Sequence, residues 1–401
     1  MLSGGGARGA YEAGVVAEIF ERIGPRLPPD FEFDLVSGTS VGAIHAAYVA
    51  ASSHLSKPDR SEALLSAWSE MDVGDVVRLG ARDLLGIPLR ALGLRTLRRD
   101  LAGGRAEAVG GLVDLAPLER LVAERIAWQH LGQNLAGPRP KALCVSCTEV
   151  RTGHITVFMD GPLASPQPWR GDPNARAVSV RLTPHHVRAS AAIPFLFPAV
   201  RIGESYFVDG GLRMNTPLSP ALRLGATRIL VVALKHKPEH HDDGERFDDE
   251  VITQPAFLLG KVLNALLLDQ LDVEIGRMQV VNAVLEQGEK VFGREFLPRI
   301  NEAVREQRGQ GFRSVRACVV RPSEDLGRLA ASCYRRHGGA RAVGVLPALV
   351  ARAALRGVPE EEADLLSYLY FDRTFARDLI ELGRADLRAM EDEVLELLGG
   401  S

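Results

Sequence analysis

Four cysteines among 401 residues are too few for a disulfide framework. Cys144 and Cys147 have the spacing of a redox or metal pair. They lie in the apolar run 142–150, which reads as a strand, and no second pair completes a zinc site, so small buried thiols are the favoured reading. No stretch of 18 apolar residues occurs, so a spanning helix is not expected. The chain does not open on a basic stretch followed by an apolar core, so no secretory leader is expected and the expected location is cytoplasmic. Charge of one sign is also lacking. A formal net charge of −3 disfavours nucleic acid as a partner. No carboxylate cluster has the spacing of a calcium loop. The glycine-rich N-terminus is not followed by G-K-[ST], which weakens a nucleotide-phosphate reading. None of the ten histidines sits in a context that marks it as a member of a catalytic triad.

Three short segments stand out against these absences. Gly38-Thr39-Ser40-Val41-Gly42 follows an apolar run at 31–36 that reads as a strand, and it opens the run 41–51 that reads as a helix. A serine on so sharp a turn exposes its Oγ at a helix N-terminus, where the dipole favours developing negative charge. The plain alternative is a turn serine capping a helix. The segment Gly4-Gly5-Gly6-Ala7-Arg8-Gly9 leads into a second helix, and a glycine-rich turn there offers unobstructed N–H groups to an anion. Tyr206-Phe207-Val208-Asp209-Gly210-Gly211 is a short apolar strand ending in a carboxylate, which taken alone reads as a hairpin turn.

Taken together and in this order, with Ala189-Ser190-Ala191-Ala192-Ile193-Pro194 and Phe197-Pro198 as a fourth block, these segments resemble the patatin-like phospholipase family. The resemblance is clear over residues 1–235. It implies a serine lipid acyl hydrolase that cleaves fatty acyl esters of phospholipids or lysophospholipids by a Ser–Asp dyad without histidine. Carried over by motif position, Ser40 is the nucleophile and Asp209 the base. Gly4, Gly5, Gly6, Arg8 and Gly9 form the oxyanion and substrate-binding loop. Arg8 either adds charge there or anchors the loop by a salt bridge. The dyad implies no metal and no cofactor. His45 stands where the family more often carries Asn, and it reads as a structural polar residue. Only Met1-Leu2-Ser3 precede the glycine loop where the family has a full strand, so that strand is either very short or begins upstream. A soluble carboxylesterase or thioesterase using the same dyad, and a non-catalytic lipid- or partner-binding member, are the alternatives.

The expected fold is a three-layer α/β/α patatin-like domain with a mainly parallel central sheet and a helical C-terminal region. Residues 1–235 read as the catalytic core and 236–250 as a polar linker. Residues 251–401 read as mostly helical, with one added strand at 316–322, packed on the core. Residues 74–112 mix leucines with arginines. That composition suits either a flap with its leucines on the core, which is the favoured reading, or peripheral contact with an anionic bilayer. Lipid is thus the expected partner.

Overall fold

The computed structural model describes residues 1–76, 108–109, 116–164, 169, 172–194, 196–214, 218–236, 258, 261, 271–341 and 363–399. Most of the Leu/Arg-rich segment 74–112 and the polar linker after His236 therefore lie outside the described residues. Nine strands carry the architecture: β1 (Leu35–Thr39), β2 (Ala108–Val109), β3 (Ala142–Glu149), β4 (Ile155–Asp160), β5 (Ala175–Ser179), β6 (Ala199–Ile202), β7 (Ser205–Asp209), β8 (Arg228–Val232) and β9 (Arg316–Val320).

Seven of these form one sheet in the order β2-β6-β7-β3-β4-β5, with β1 also paired to β3, while β8 and β9 form a parallel pair. Leu2 makes parallel bridges to Gly38 on one side and to Val232 on the other, which joins the two sheets. Leu2 is thus the bridging residue just before the glycine loop. The Leu2 N–H donates to Ser37 O at 2.9 Å, and its carbonyl accepts from Thr39 N at 3.3 Å.

The mainly parallel sheet expected from the sequence is corrected to a mixed one. Parallel pairing is confined to β1–β3, β4–β5 and β8–β9. The pairs β2–β6, β3–β4, β3–β7 and β6–β7 are antiparallel. For β3–β4 and β6–β7 the cause is local, since short connections permit only antiparallel return. Gly203 at φ 60° turns β6 into β7, and Gly153 at φ 67° lies in the turn from β3 to β4.

Both faces of the sheet are covered, as an α/β layering requires. Side chains alternate along a strand. Leu143, Val145 and Cys147 of β3 enter the main core, whereas Cys144 enters a separate cluster on the opposite face with Val157 and Met159. The two cysteines therefore point apart, and burial pushes both thiols upward in pKa. Along β8, Leu230 and Val232 enter the main core, while Ile229 and Val231 pack with Leu218, Leu271 and Met278.

The main core is built on helices α1 (Gly9–Glu18), α2 (Val41–Ala51) and α3 (Lys57–Glu70), closed by the C-terminal helix Arg373–Ala389. The last of these lies very close to α1. A Cβ on Gly14 would strike the Ile380 carbonyl, and one on Gly383 would strike that of Tyr11. At its far end Tyr11 Oη donates to Asp386 at 3.0 Å, and Arg384 and Arg388 both bind Glu18.

Candidate active site

Two strands reach the middle of β3 from opposite ends. β1 runs parallel to the first half of β3, with Thr39 opposite Ser146. β7 runs antiparallel along the second half, with Asp209 opposite Cys147. They lie on the same side of β3 and meet head to head at two successive residues of it. The chain leaves β1 through Ser40 and leaves β7 through Gly210, so the two chemically significant side chains emerge at one junction.

Ser40 is the N-cap of α2 and has φ 55° and ψ −124°, the one non-glycine residue of positive φ among the described residues. Such a conformation costs about 1–3 kcal/mol and persists only where the surroundings enforce it. Here the enforcing contacts are visible. The Ser40 N–H donates to Ser190 Oγ at 2.9 Å, and the Ser190 hydroxyl donates to Ser146 O at 2.6 Å. Thr39 Oγ1 donates to Met214 O at 2.9 Å. Gly38 and Gly42 leave no room for side chains, because a Cβ on the first would strike Gly42 O and one on the second would strike Leu2 O. Ser190 belongs to the fourth sequence block, whose pattern points to no role for it. It braces the serine turn.

Asp209 is buried, and its N–H donates to Ala192 O at 2.9 Å. Oδ1 accepts from Gly211 N–H at 2.8 Å, while Oδ2 has no hydrogen-bond partner of standard geometry. Burial raises its carboxyl to about 6. The Ser40 hydroxyl and the Gly211 N–H both pull the other way by favouring the charged form. Ser40 is thus near enough to be felt by the carboxylate, in a contact looser than a formed hydrogen bond. Looseness of this kind is common before substrate binds.

The glycine loop completes the junction. Gly6, at φ 58°, lines the same cavity as Ser40, and a Cβ on it would strike Tyr368 O. Gly4 and Gly5 are buried beside it, and Gly5 abuts Leu234. Gly9 opens α1 against Val41 and Trp68. Arg8 is almost wholly buried. Its guanidinium donates to Asp364 at 3.0 Å and to Ser367 Oγ at 2.8 Å, and it lies 4.1 Å from the centre of the Tyr368 ring. Of the two roles open for Arg8, these contacts are those of an anchor. They tie the loop to the C-terminal helix Asp364–Leu369.

The cavity in front of Ser40 has a volume of about 480 Å³. Its wall is largely apolar, with Ile44, Leu121, Ile193, Phe197 and Phe371 among its members. His45 shares this cavity, but both its ring nitrogens are engaged. Trp68 Nε1–H can only donate and does so to His45 Nε2 at 2.8 Å. The ring proton is therefore on Nδ1, which donates to Glu12 Oε2 at 2.8 Å. Glu12 Oε1 accepts from Ser3 N–H at 2.6 Å. Burial raises the Glu12 carboxyl, and its bonds to His45 and Ser3 oppose that rise. This buried chain links the start of the glycine loop to α2 and α3. Sequence reasoning found His45 as a structural polar residue but missed Glu12 and Trp68, which carry no motif.

A family model described as patatin-like phospholipase matches residues 1–222. The chain belongs to the patatin-like phospholipase family. A cGAMP-activated phospholipase of Pseudomonas aeruginosa (strain BWHPSA011 / Pa011) is 30% identical over 216 residues, covering 54% of this chain and 53% of that protein. The chain thus matches about half the length of this curated relative. Among the described residues, no helix is long and apolar enough to cross a membrane, and no group of three or more His, Cys, Asp or Glu could hold a metal ion.

Proposed function

We propose that this member of the patatin-like phospholipase family is a serine lipid acyl hydrolase, cleaving fatty acyl esters of phospholipids or lysophospholipids. The observation that carries this reading is the junction on β3, where Ser40 on an enforced positive-φ turn meets a buried Asp209 beside an apolar cavity.

A serine hydroxyl attacks only if a neighbouring base takes its proton. Asp209, raised to about 6, is a better base than an ordinary carboxylate and is still ionised at neutral pH. Ser40 Oγ attacks the ester carbonyl, and Asp209 takes the proton. It passes that proton to the departing alkoxide, leaving an acyl group on Ser40. Asp209 then deprotonates a water molecule that releases the fatty acid. The tetrahedral oxyanion forms beside Gly6, and the N–H groups of the Gly4–Gly6 loop would hold it. Removing one such donor typically raises a barrier by about 3–4 kcal/mol. Arg8 holds that loop in place through Asp364 rather than by touching substrate. The 480 Å³ apolar cavity suits the acyl chain.

The test is release of fatty acid from a panel of phospholipids and lysophospholipids, with labelling by a fluorophosphonate probe. Ser40→Ala abolishes both and leaves the circular dichroism spectrum unchanged. Release by the variant at the wild-type rate would refute the assignment. A soluble esterase using the same dyad is separated by preference for monomeric short-chain esters over micellar lipid.

A further inference from the structure

On the opposite face of the sheet from Ser40 lies a second cavity of about 250 Å³, between the helix Leu218–Arg223, the helix Leu271–Phe292 and the loop that follows the helix Phe296–Arg308. It is lined by Arg223, Arg277, Arg308 and Arg313, together with Gln310 and Glu274. The acids facing it among the described residues are Glu274 and Asp172, the latter 3.9 Å from Arg223. Positive charge is therefore in excess.

Three of these arginines, Arg223, Arg308 and Arg313, are held in place. Asn301 clamps Phe312, donating to its carbonyl at 3.0 Å and accepting from its N–H at 2.6 Å. Asn282 clamps Val315 in the same way, at 2.7 and 3.0 Å. The loop between is thereby fixed, and within it Arg313 donates to Gln310 at 2.9 Å while Arg308 stacks 4.9 Å from the Phe312 ring centre. Arg223 is braced by Ser219 Oγ at 3.3 Å and by the Trp169 ring. Burial pushes the Arg223 and Arg313 guanidinium groups down in pKa; Asp172 opposes this at Arg223, and repulsion from Arg308 adds to it at both. A rigid loop that holds like charges together stores an electrostatic cost which an anion would relieve.

We propose that this cavity is a binding site for a phosphate-bearing anion, distinct from the cavity at Ser40. Guanidinium forks match phosphate oxygens in pairs, and several converging forks select a group with more than one negative charge. The volume lies below the usual range for a drug-sized ligand, so the part that enters is small, a phosphate or diphosphate. Its source is either a soluble phosphate compound or the headgroup of an anionic phospholipid, and the recognition chemistry is the same for both. The site does not depend on the hydrolase reading.

The test uses the full chain in two arms. One is titration calorimetry with inorganic pyrophosphate at low ionic strength. The other is co-sedimentation with phosphatidylcholine vesicles with and without phosphatidic acid. Arg277→Gln and Arg313→Gln each weaken binding by about tenfold or more, as expected for the loss of a charged hydrogen bond, whereas Arg305→Gln, on the same helix as Arg308 but outside the cavity, does not. Arg277 is exposed on its helix, so its replacement carries the test even where Arg313→Gln fails to fold. Saturable pyrophosphate binding that the cavity variants weaken supports a soluble source. Vesicle binding alone, weakened by the same variants, supports a headgroup. Absence of saturable binding in both arms, or equal weakening by Arg305→Gln, overturns the proposal.

Discussion

Asp209→Asn separates what the carboxylate does for chemistry from what it costs the fold. Burial raises the group from 3.8 to about 6 in the native state, and each tenfold change in proton affinity corresponds to about 1.4 kcal/mol. The folded value exceeds the unfolded one, so the native state holds the proton more tightly between those two values. Stability is therefore greatest below about pH 4, falls as pH rises towards 6, and stays low above it. At pH 8 the ionised carboxylate lowers stability by about 3 kcal/mol. Asparagine keeps the shape, offers an oxygen to the Gly211 N–H and carries no charge. With unfolding entropy of about 2.1 cal/mol/K per residue, a gain of that size in a chain of 401 residues raises Tm by about 3–4 °C. The variant should thus melt higher than wild type at pH 8, and the gap should close towards pH 4. Release of fatty acid should fall to a small residue at every pH. Scanning fluorimetry from pH 4 to pH 8, paired with the activity assay, reads both. A variant less stable than wild type at pH 8, or offset equally at both ends of the range, would refute the argument that a buried charge is being tolerated for function.

In the proposed mechanism the same carboxylate sets the acid limb of the pH profile. kcat/KM for a soluble ester should rise with unit slope and level off above about 6, and a limb near the ordinary carboxylate value of about 4 would contradict it. Ser40→Gly removes the hydroxyl and also the positive-φ penalty, so it should be inactive yet about 1–2 kcal/mol more stable than Ser40→Ala by urea denaturation. Trp68→Phe leaves His45 Nε2 without its donor, which should cost about 1 kcal/mol and alter acyl chain-length preference, because both residues line the cavity. Asp364→Ala leaves the buried Arg8 guanidinium without its carboxylate, a loss of about 3–5 kcal/mol. Activity should fall with it, and Asp364→Glu should recover part of both.

What the sequence disclosed, and what it withheld, follows from the range over which each signal acts. Ser40, Asp209 and the Gly4–Gly6 loop announce themselves through neighbouring glycines, because a tight turn or a close approach must be encoded within a few residues. Strands β3 and β9 are legible as apolar runs near their observed bounds. The strand expected at 31–36 is displaced to Leu35–Thr39, and Phe31 and Phe33 meet edge to face outside the sheet. Residues 115–134 read in sequence as one helix, and the structure breaks this region into two, Ala116–Arg125 and Trp128–Ala136. Pairing is not legible, because period-two alternation says which face a residue takes but not which strand lies beside it. That is why the expected sheet is mainly parallel and the observed one mixed. Partners distant in sequence are invisible for the same reason. Nothing near Arg8 foretells Asp364, and nothing near Ser40 foretells that Ser190 holds its backbone. The decisive fact at this site is of that second kind: β1 and β7 end opposite adjacent residues of β3. A slip of one residue in either register would turn one side chain to the other face and leave Ser40 and Asp209 on opposite sides of the sheet. The glycines identify the candidates, and the register of a third strand brings them to one junction.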